Sequence, residues 1–357
     1  MGDRARTLGW VSRDSRTGRH NAITDVPGVR VGQAALAAGD KPMDREALAR
    51  TGVTVIDLPA THRWRQRYFA GSHVANGFGQ LTARDVIDTQ GMLAGPIVLT
   101  GTRSVGAVYD AVLARSLDED PDFTREDLPI PAVGECDDGY LNSPSAVCGR
   151  WTVGEAFEAL SGGPVEEGGA GAGAGMHLFG YKGGIGTSSR QIAVGESTWT
   201  VGVLLLTNFG RPEDVRLPAH AQPAARPIGD PHPGSCIGIA VTDAPLHPQQ
   251  LSRLAARIGF GLARTGSVGR SGSGEIALAV STHTPIDSDA AFIQARFVAD
   301  RPTTGPNAMD QLYGAIADAT EEAVWNALLA GQTTSGHAGH RLIGFQDAVR
   351  PAGGFSG

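Results

Sequence analysis

Cysteine is scarce in this chain. Its 357 residues contain three, Cys136, Cys148 and Cys236, and no two form a CxxC pair. So sparse and odd a set excludes a disulfide framework and a zinc knuckle, and the cytoplasm, where thiols stay reduced, is the expected location. No run of 18 apolar residues occurs, so no membrane-spanning helix is expected. The first ten residues are polar and lack the apolar centre of a secretory signal. A formal net charge of −7, with no basic stripe, argues against nucleic acid as a partner, because neutralising phosphates takes clustered Lys and Arg. The ten histidines are scattered and form no HExxH or comparable pairing, so neither a metal nor a cofactor is expected. No G-x-S-x-G elbow is present. This ranks a Ser-His-Asp hydrolase low, although His73, His177 and His232 are available for one. Gly180 and Lys182 are not adjacent, which fails the Walker pattern. The run Gly169–Ala174 fits the loose G-x-G-x-x-A form, but no strand precedes it as a dinucleotide site requires.

Glycine, by contrast, is abundant. Fifty occur, about twice the usual share, which points to tight turns and close backbone approaches. Residues 1–20 read as a loose polar arm. Apolar, β-branched runs predict strands over 52–59, 96–100, 199–208, 236–242 and 275–281, with a shorter one ending near Gly32. Helices are predicted over 80–89, over 104–117 with Val105, Val108, Val112 and Leu113 on one face, over 248–264 with Leu251, Leu254, Ile258 and Leu262, and over 307–329 with Leu312, Ile316 and Val324. Residues 210–234 hold six prolines and read as a surface linker within one fold, since apolar strands flank it on both sides. Strands and helices mix throughout without a repeat, so one layered α/β or α+β domain is expected.

The linker ends at Gly234-Ser235, where a buried strand begins. A serine hydroxyl needs an adjacent base to act as a nucleophile. Cleavage before Ser235 would supply one on the same residue. An α-amine titrates at roughly 7.7–8.0, suited to proton transfer near neutrality. In the uncut chain the hydroxyl can attack the Gly234 carbonyl, and glycine leaves that approach unobstructed. Taken alone, Gly-Ser before a strand is an ordinary turn. Three other segments bear on it. Ser273 and Glu275 lie two apart and share a face if the strand has begun by residue 273, so they could hold the Ser235 hydroxyl and amine; the alternative is a solvated hairpin loop. Asn208, ending the best strand, could donate to an oxyanion, a contact whose loss typically costs about 2.7–4 kcal/mol of barrier; the alternative is a turn-starting Asn. Lys182 lies in the glycine-rich stretch 175–190, facing either substrate or solvent. Cys236 should point away from Ser235 and pack as a small hydrophobe.

Together these segments resemble the DmpA-type N-terminal-nucleophile peptidases, the β-aminopeptidase/D-aminopeptidase group. The likeness runs through Asn21–Gly32, Asp138-Gly-Tyr-Leu-Asn142, Gly171–Arg190, Leu204–Gly210, Gly234–Leu246 and Gly272–Thr282, in that order. Its most specific blocks are Lys182-Gly-Gly-Ile-Gly-Thr-Ser-Ser-Arg190 and Thr242-Asp-Ala-Pro-Leu246. The resemblance implies an α+β fold of four layers (αββα) and one hydrolase domain over 1–357. It implies a precursor cut into an α chain, 1–234, and a β chain, 235–357. Ser235 would be the nucleophile, Ser273 and Glu275 its supporting pair, and Asn208 part of the oxyanion site. Glu135 would receive the substrate amine, Lys182 would lie near the site, and the partners would be a small peptide or amide and further αβ units in a homo-oligomer, a tetramer. The chain departs from the family at Asp137, where an aromatic residue is usual, at Gln80 in place of an acidic residue, and at Leu99-Thr-Gly-Thr-Arg103, where Asn and His are common. All three changes fall in the implied substrate pocket, so Asp137 is expected to bear on specificity. The leading expectation is a self-processing aminopeptidase or amidohydrolase acting through a serine acyl-enzyme. The alternative is an uncleaved small-molecule-binding protein on the same fold.

Overall fold

The structure is a computed structural model that describes residues 4–36, 48–122, 129–221, 223, 227, 234–300 and 307–349. His232 and most of the proline-rich stretch just before Gly234 lie outside these residues. In the first half of the chain the strands are β1 (Arg30–Ala35), β2 (Gly52–Asp57), β3 (Gln66–Gly77), β4 (Met92–Ala94), β5 (Ile97–Gly101) and β6 (Ala132–Cys136). Helices α1 (Arg84–Gln90), α2 (Val105–Glu119) and α3 (Arg150–Glu158) intervene or follow. Then come the two-residue strands β7 (His177–Leu178) and β8 (Tyr181–Lys182), the long β9 (Gly184–Val194) and β10 (Ser197–Asn208), and β11 (Ser235–Thr242). Helix α4 (Pro248–Thr265), β12 (Gly274–Asp287) and α5 (Ala308–Ala330) complete the main body. A small hairpin, β13 (Thr334–Ser335) with β14 (Arg341–Leu342), and α6 (Phe345–Val349) end it.

Two sheets form. One has the order β1-β2-β5-β6, the other β4-β3-β12-β11-β10-β9. Three apolar clusters define the layers. Val53, Val98, Val112, Val153 and Phe157 lie between the first sheet and α2/α3. Ile56, Leu99, Leu204, Ile237, Ile239 and Leu278 fill the space between the sheets. Leu254, Ile258, Ile316, Val324 and Trp325 join the second sheet to α4/α5. The architecture is therefore the expected four-layer αββα sandwich. Alternate residues of β11 serve two cores, Ile237 facing the other sheet and Cys236 the helices. Ser235, at odd register, starts the row that faces the space between the sheets.

Helix ends follow local chemistry. Pro248 begins α4, whose terminus is closed by Gly266 at φ 114. The Asn307 side chain caps α5 by accepting from Asp310 N at 2.8 Å. Residues 4–20 are not a loose arm. Ala5 is fully buried, and Arg6 pairs at 3.1 Å with Glu322, a buried carboxylate of α5. Arg190 of β9 reaches the same carboxylate at 2.8 Å. This ion network and the hydrogen bond from Ser188 Oγ to Ala319 O bring β9 close against α5. The approach is tightest at Gly186, where a β-carbon would overlap the Ala323 carbonyl. Gly186→Ala should destabilise the fold by about 2–3 kcal/mol through overpacking, read as a drop of several degrees in the thermal unfolding midpoint.

Candidate active site

β11 lies between β10, antiparallel, and β12, parallel. In register, Ser235 stands opposite Asn208 on one side and Gly274 on the other. These pairings gather three distant segments, 208, 235 and 273–275, at one edge of the sheet. Gly234 packs so closely on the end of β10 that a β-carbon there would overlap the Asn208 carbonyl oxygen. The glycine is required by close approach rather than by dihedral angle.

The Gly234–Ser235 peptide stands between two clefts. One, of about 730 Å³, is lined by Ser235, Asn208, Glu135, Asp137, His177 and Arg103, among others. The other, of about 450 Å³, is lined by Gly234, Ser273, Glu275, Arg270 and Asp214. A larger cleft of about 1060 Å³ lies between Arg4, Glu166, Glu167 and the end of α5. It has no serine or cysteine among its lining residues, and Arg4 and Glu167 pair across it at 3.0 Å. Size alone therefore does not mark the site, and the cleft beside Ser235 is the one that brings together a hydroxyl, an amide and carboxylates.

Ser273 donates its hydroxyl to Glu275 Oε1, confirming that the two side chains meet. Both are buried. Burial raises the Glu275 pKa, and the Ser273 hydroxyl and the nearby Asn76 amide oppose the shift. Among the described residues, the buried Glu275 Oε2 has no hydrogen-bond partner, an acceptor whose unmet need costs on the order of 1–3 kcal/mol. A cationic donor arriving in the cleft that Glu275 shares with Gly234 would satisfy it.

Asn208 is fixed at both ends of its amide. Its Oδ1 accepts from the His177 backbone at 2.9 Å, and its Nδ2 donates to the Asp137 carbonyl at 2.9 Å. One amide hydrogen remains beyond that bond. His177 thus contributes its main chain. His73 is exposed on β3, opposite Ala277.

Glu135 is buried at the end of β6. It accepts from the Gln80 backbone at 2.8 Å and from the Thr102 hydroxyl, and desolvation raises its pKa. Asp137 is exposed; its carboxylate accepts from Gly139 N at 2.9 Å and closes its own turn. Tyr140, on the rim, stacks on His340 at 4.5 Å between ring centroids. The stacking ties the Asp137–Asn142 turn to the C-terminal hairpin, a link with no signal in the sequence.

The structure does not bring Lys182 to the cleft, so neither expectation for it is met. Its ammonium is buried and donates to the carbonyls of Gly173, Met176 and Gly183 at 2.8, 3.1 and 2.8 Å. Burial pushes its pKa down to about 7. With three protons on three carbonyls, Lys182 clasps the glycine-rich loop whose next strand carries His177. The many glycines of 168–184 leave the main-chain oxygens open to it.

Residues 21–342 match peptidase family S58. The beta-peptidyl aminopeptidase BapA of Sphingosinicella xenopeptidilytica is 37% identical over 364 aligned residues, covering 96% of this chain and 89% of its own. The structure of a Burkholderia sp. beta-aminopeptidase superposes with a TM-score of 0.83 at 37% identity, covering 98% of this chain and 99% of that one. The L-aminopeptidase D-Ala-esterase/amidase of Ochrobactrum anthropi, described as a prototype for the serine aminopeptidases and a variant of the Ntn hydrolase fold, gives 0.82 at 33% identity, covering 96% and 95%. Relatives of this kind do not favour a binding-only role.

If the fit of Gly234 against β10 sets up the junction, Gly234→Ala should displace the entry to β11. The variant is expected to keep native circular dichroism yet run as a single full-length band on a denaturing gel, where a self-cleaving unsubstituted chain would run as two. Normal cleavage of the alanine variant would refute this role for the close approach.

Proposed function

The chain belongs to peptidase family S58 and is a serine aminopeptidase of the N-terminal-nucleophile type; on that premise we propose that Ser235 is its nucleophile, released by self-cleavage after Gly234. The precursor would yield an α chain, 1–234, and a β chain, 235–357. The observation that carries the reading is a convergence. Ser235 opens a strand held between Asn208 and Gly274, with a buried carboxylate oxygen of Glu275 lacking a donor close by and Glu135 lining the same cleft.

In the uncut chain the Ser235 hydroxyl adds to the Gly234 carbonyl. The C–N bond breaks, an ester forms and the α-amine is freed; water then cleaves the ester. The new amine lies on the same residue as the hydroxyl and takes its proton during attack on substrate. Glu275 Oε2 accepts from the amine or hydroxyl, and Ser273 holds Glu275 in place. The remaining hydrogen of the Asn208 amide is directed to the developing oxyanion, with its other bonds fixing the rotamer. Glu135 takes the substrate's ammonium; Gln80 N and Thr102 already orient its carboxylate. The N-terminal acyl group is transferred to Ser235, the rest of the peptide leaves as an amine, and water releases the acid. Asp137 sits beside this path and bears on the choice of substrate. Lys182 supports the loop below and touches no reacting atom.

Short peptides or amides with a free amine, β-amino-acid peptides among them, are the proposed substrates, in line with the relatives' activities. The three cysteines are unpaired and buried, which suits a reducing compartment such as the cytoplasm. Phe292, 94% exposed, and Phe260, 61% exposed, offer apolar surface for a homo-oligomer of αβ units.

Denaturing electrophoresis with intact mass tests the reading. The wild type should give fragments starting at Met1 and Ser235, and Ser235→Ala one inactive full-length chain. Active wild-type enzyme in which the Ser235 nitrogen remains in a peptide bond would overturn it. The amine-binding role of Glu135 requires its ionised form, and burial raises its pKa, so kcat/KM should fall with acidity above the ordinary carboxylate range of about 4.3. Glu135→Gln should raise KM roughly tenfold or more, affect kcat less, and remove that acid limb. Both changes are read from pH profiles on a β-alanyl amide.

A further inference from the structure

The reaction above leaves one charge in the cleft unused. Arg103 lines the same cleft as Glu135 and Ser235 and is exposed. Among the described residues it has no hydrogen bond or ion pair. Its place is nonetheless fixed. It is the middle residue of the single turn Thr102–Ser104 that follows β5. On one side of it the Thr102 hydroxyl binds Glu135; on the other the Ser104 hydroxyl accepts from Cys148 N at 3.0 Å. β5 and β6 run in parallel, with Thr100 opposite Glu135. Arg103 is therefore tied to the Glu135 end of the cleft. Asp137, two residues after Glu135, lies close enough for its charge to raise the Glu135 pKa, and its carbonyl holds Asn208, the partner of Ser235.

A cleft lined by charges of both signs suits a group that carries both. If Glu135 holds the amine, the carboxylate that meets Arg103 must lie on the same residue as that amine. An ordinary α-linked residue has its carboxyl in the bond to be cut. A residue joined through its side chain keeps the α-carboxylate free, and aspartate joined through its β-carboxyl is the shortest. We propose that Glu135 and Arg103 together make this cleft a site for β-aspartyl peptides, whose N-terminal residue presents an ammonium and a carboxylate on one carbon.

Such a residue has the amine-to-carbonyl spacing of β-alanine, with a carboxylate replacing one hydrogen on the amine-bearing carbon. The inference rests on the roles proposed for Ser235 and Glu135. The Ser235 hydroxyl adds to the β-carbonyl, its proton passes to the α-amine and on to the leaving nitrogen, and the C–N bond breaks. Water then cleaves the ester, giving free aspartate and the amine.

The test compares β-aspartyl, β-alanyl and β-homoalanyl p-nitroanilides, which share a neutral leaving group; the last carries a methyl where the first carries its carboxylate. Wild-type kcat/KM should favour β-aspartyl over β-homoalanyl about tenfold, and Arg103→Gln should lower that ratio about tenfold. Both rates come from one sample, so the ratio is independent of the fraction of folded or processed enzyme. An unchanged ratio in R103Q, or a wild type that cleaves the β-alanyl but not the β-aspartyl compound, would overturn the proposal and leave the Ser235 reading intact. Cleavage of none of the three by a chain that stays full length would overturn both. A change confined to β-alanyl-leucine relative to its neutral leucinamide would assign Arg103 to the leaving-group carboxylate and also overturn the proposal.

Discussion

The site is organised by the insertion of β11 between β10 and β12, with Gly234 pressed against the Asn208 carbonyl. Backbone hydrogen bonding fixes the register, and a slip of one residue would turn Ser235 toward the helices and Cys236 toward the space between the sheets. One constraint thus determines which hydroxyl stands at the Gly234–Ser235 peptide, which amide lies beside it, and which carboxylate lies below. The proposed cleavage would require little motion, because the strands are already paired.

Around this junction the fold buries charge where pairing is incomplete. Glu275 keeps one oxygen without a partner, Lys182 has carbonyls instead of a counter-ion, and Glu135 is held by a hydroxyl and a main-chain N–H. Elsewhere one buried carboxylate is closely paired. Glu322 accepts from Arg6, Arg190 and Asn21, which lock the N-terminal segment and β9 onto α5. The unmet Glu275 oxygen belongs to a residue that lines the cleft at Gly234, where a substrate or a new terminus could meet it.

Much of the frame was legible because burial leaves a period. Leu251, Leu254, Ile258 and Leu262 announced α4, and the apolar run before Asn208 announced β10. β9 escaped notice because its buried residues include Thr187, Ser188, Ser189 and Arg190, whose polar groups are satisfied by β10, α5 and the N-terminal segment. The same network explains why the first twenty residues looked loose: their anchors are arginines whose partners lie some 160 to 320 positions later. Ser235, Ser273, Glu275 and Asn208 could be named as candidates from local patterns, since each carries a group the expected chemistry needs, and Glu135 only from the family resemblance. Lys182 could not be placed, because nothing local distinguishes an ammonium in solvent from one clasped by three carbonyls. The two clefts divided by a single peptide are a property of sheet packing and leave no mark on local sequence.

With the proposed self-cleavage, the arrangement of β10, β11 and β12 would give the molecule an irreversible history. In the intact polypeptide, β11 finds β10 as part of the same molecule, at the high effective concentration that a covalent tether provides. If the proposed self-cleavage cuts that tether after Gly234, the pairing joins two separate chains, and recovery after denaturation becomes a second-order encounter that slows with dilution. The mature form would owe its shape to a precursor that no longer exists, and its persistence to the slowness of strand separation rather than to ready renaturation.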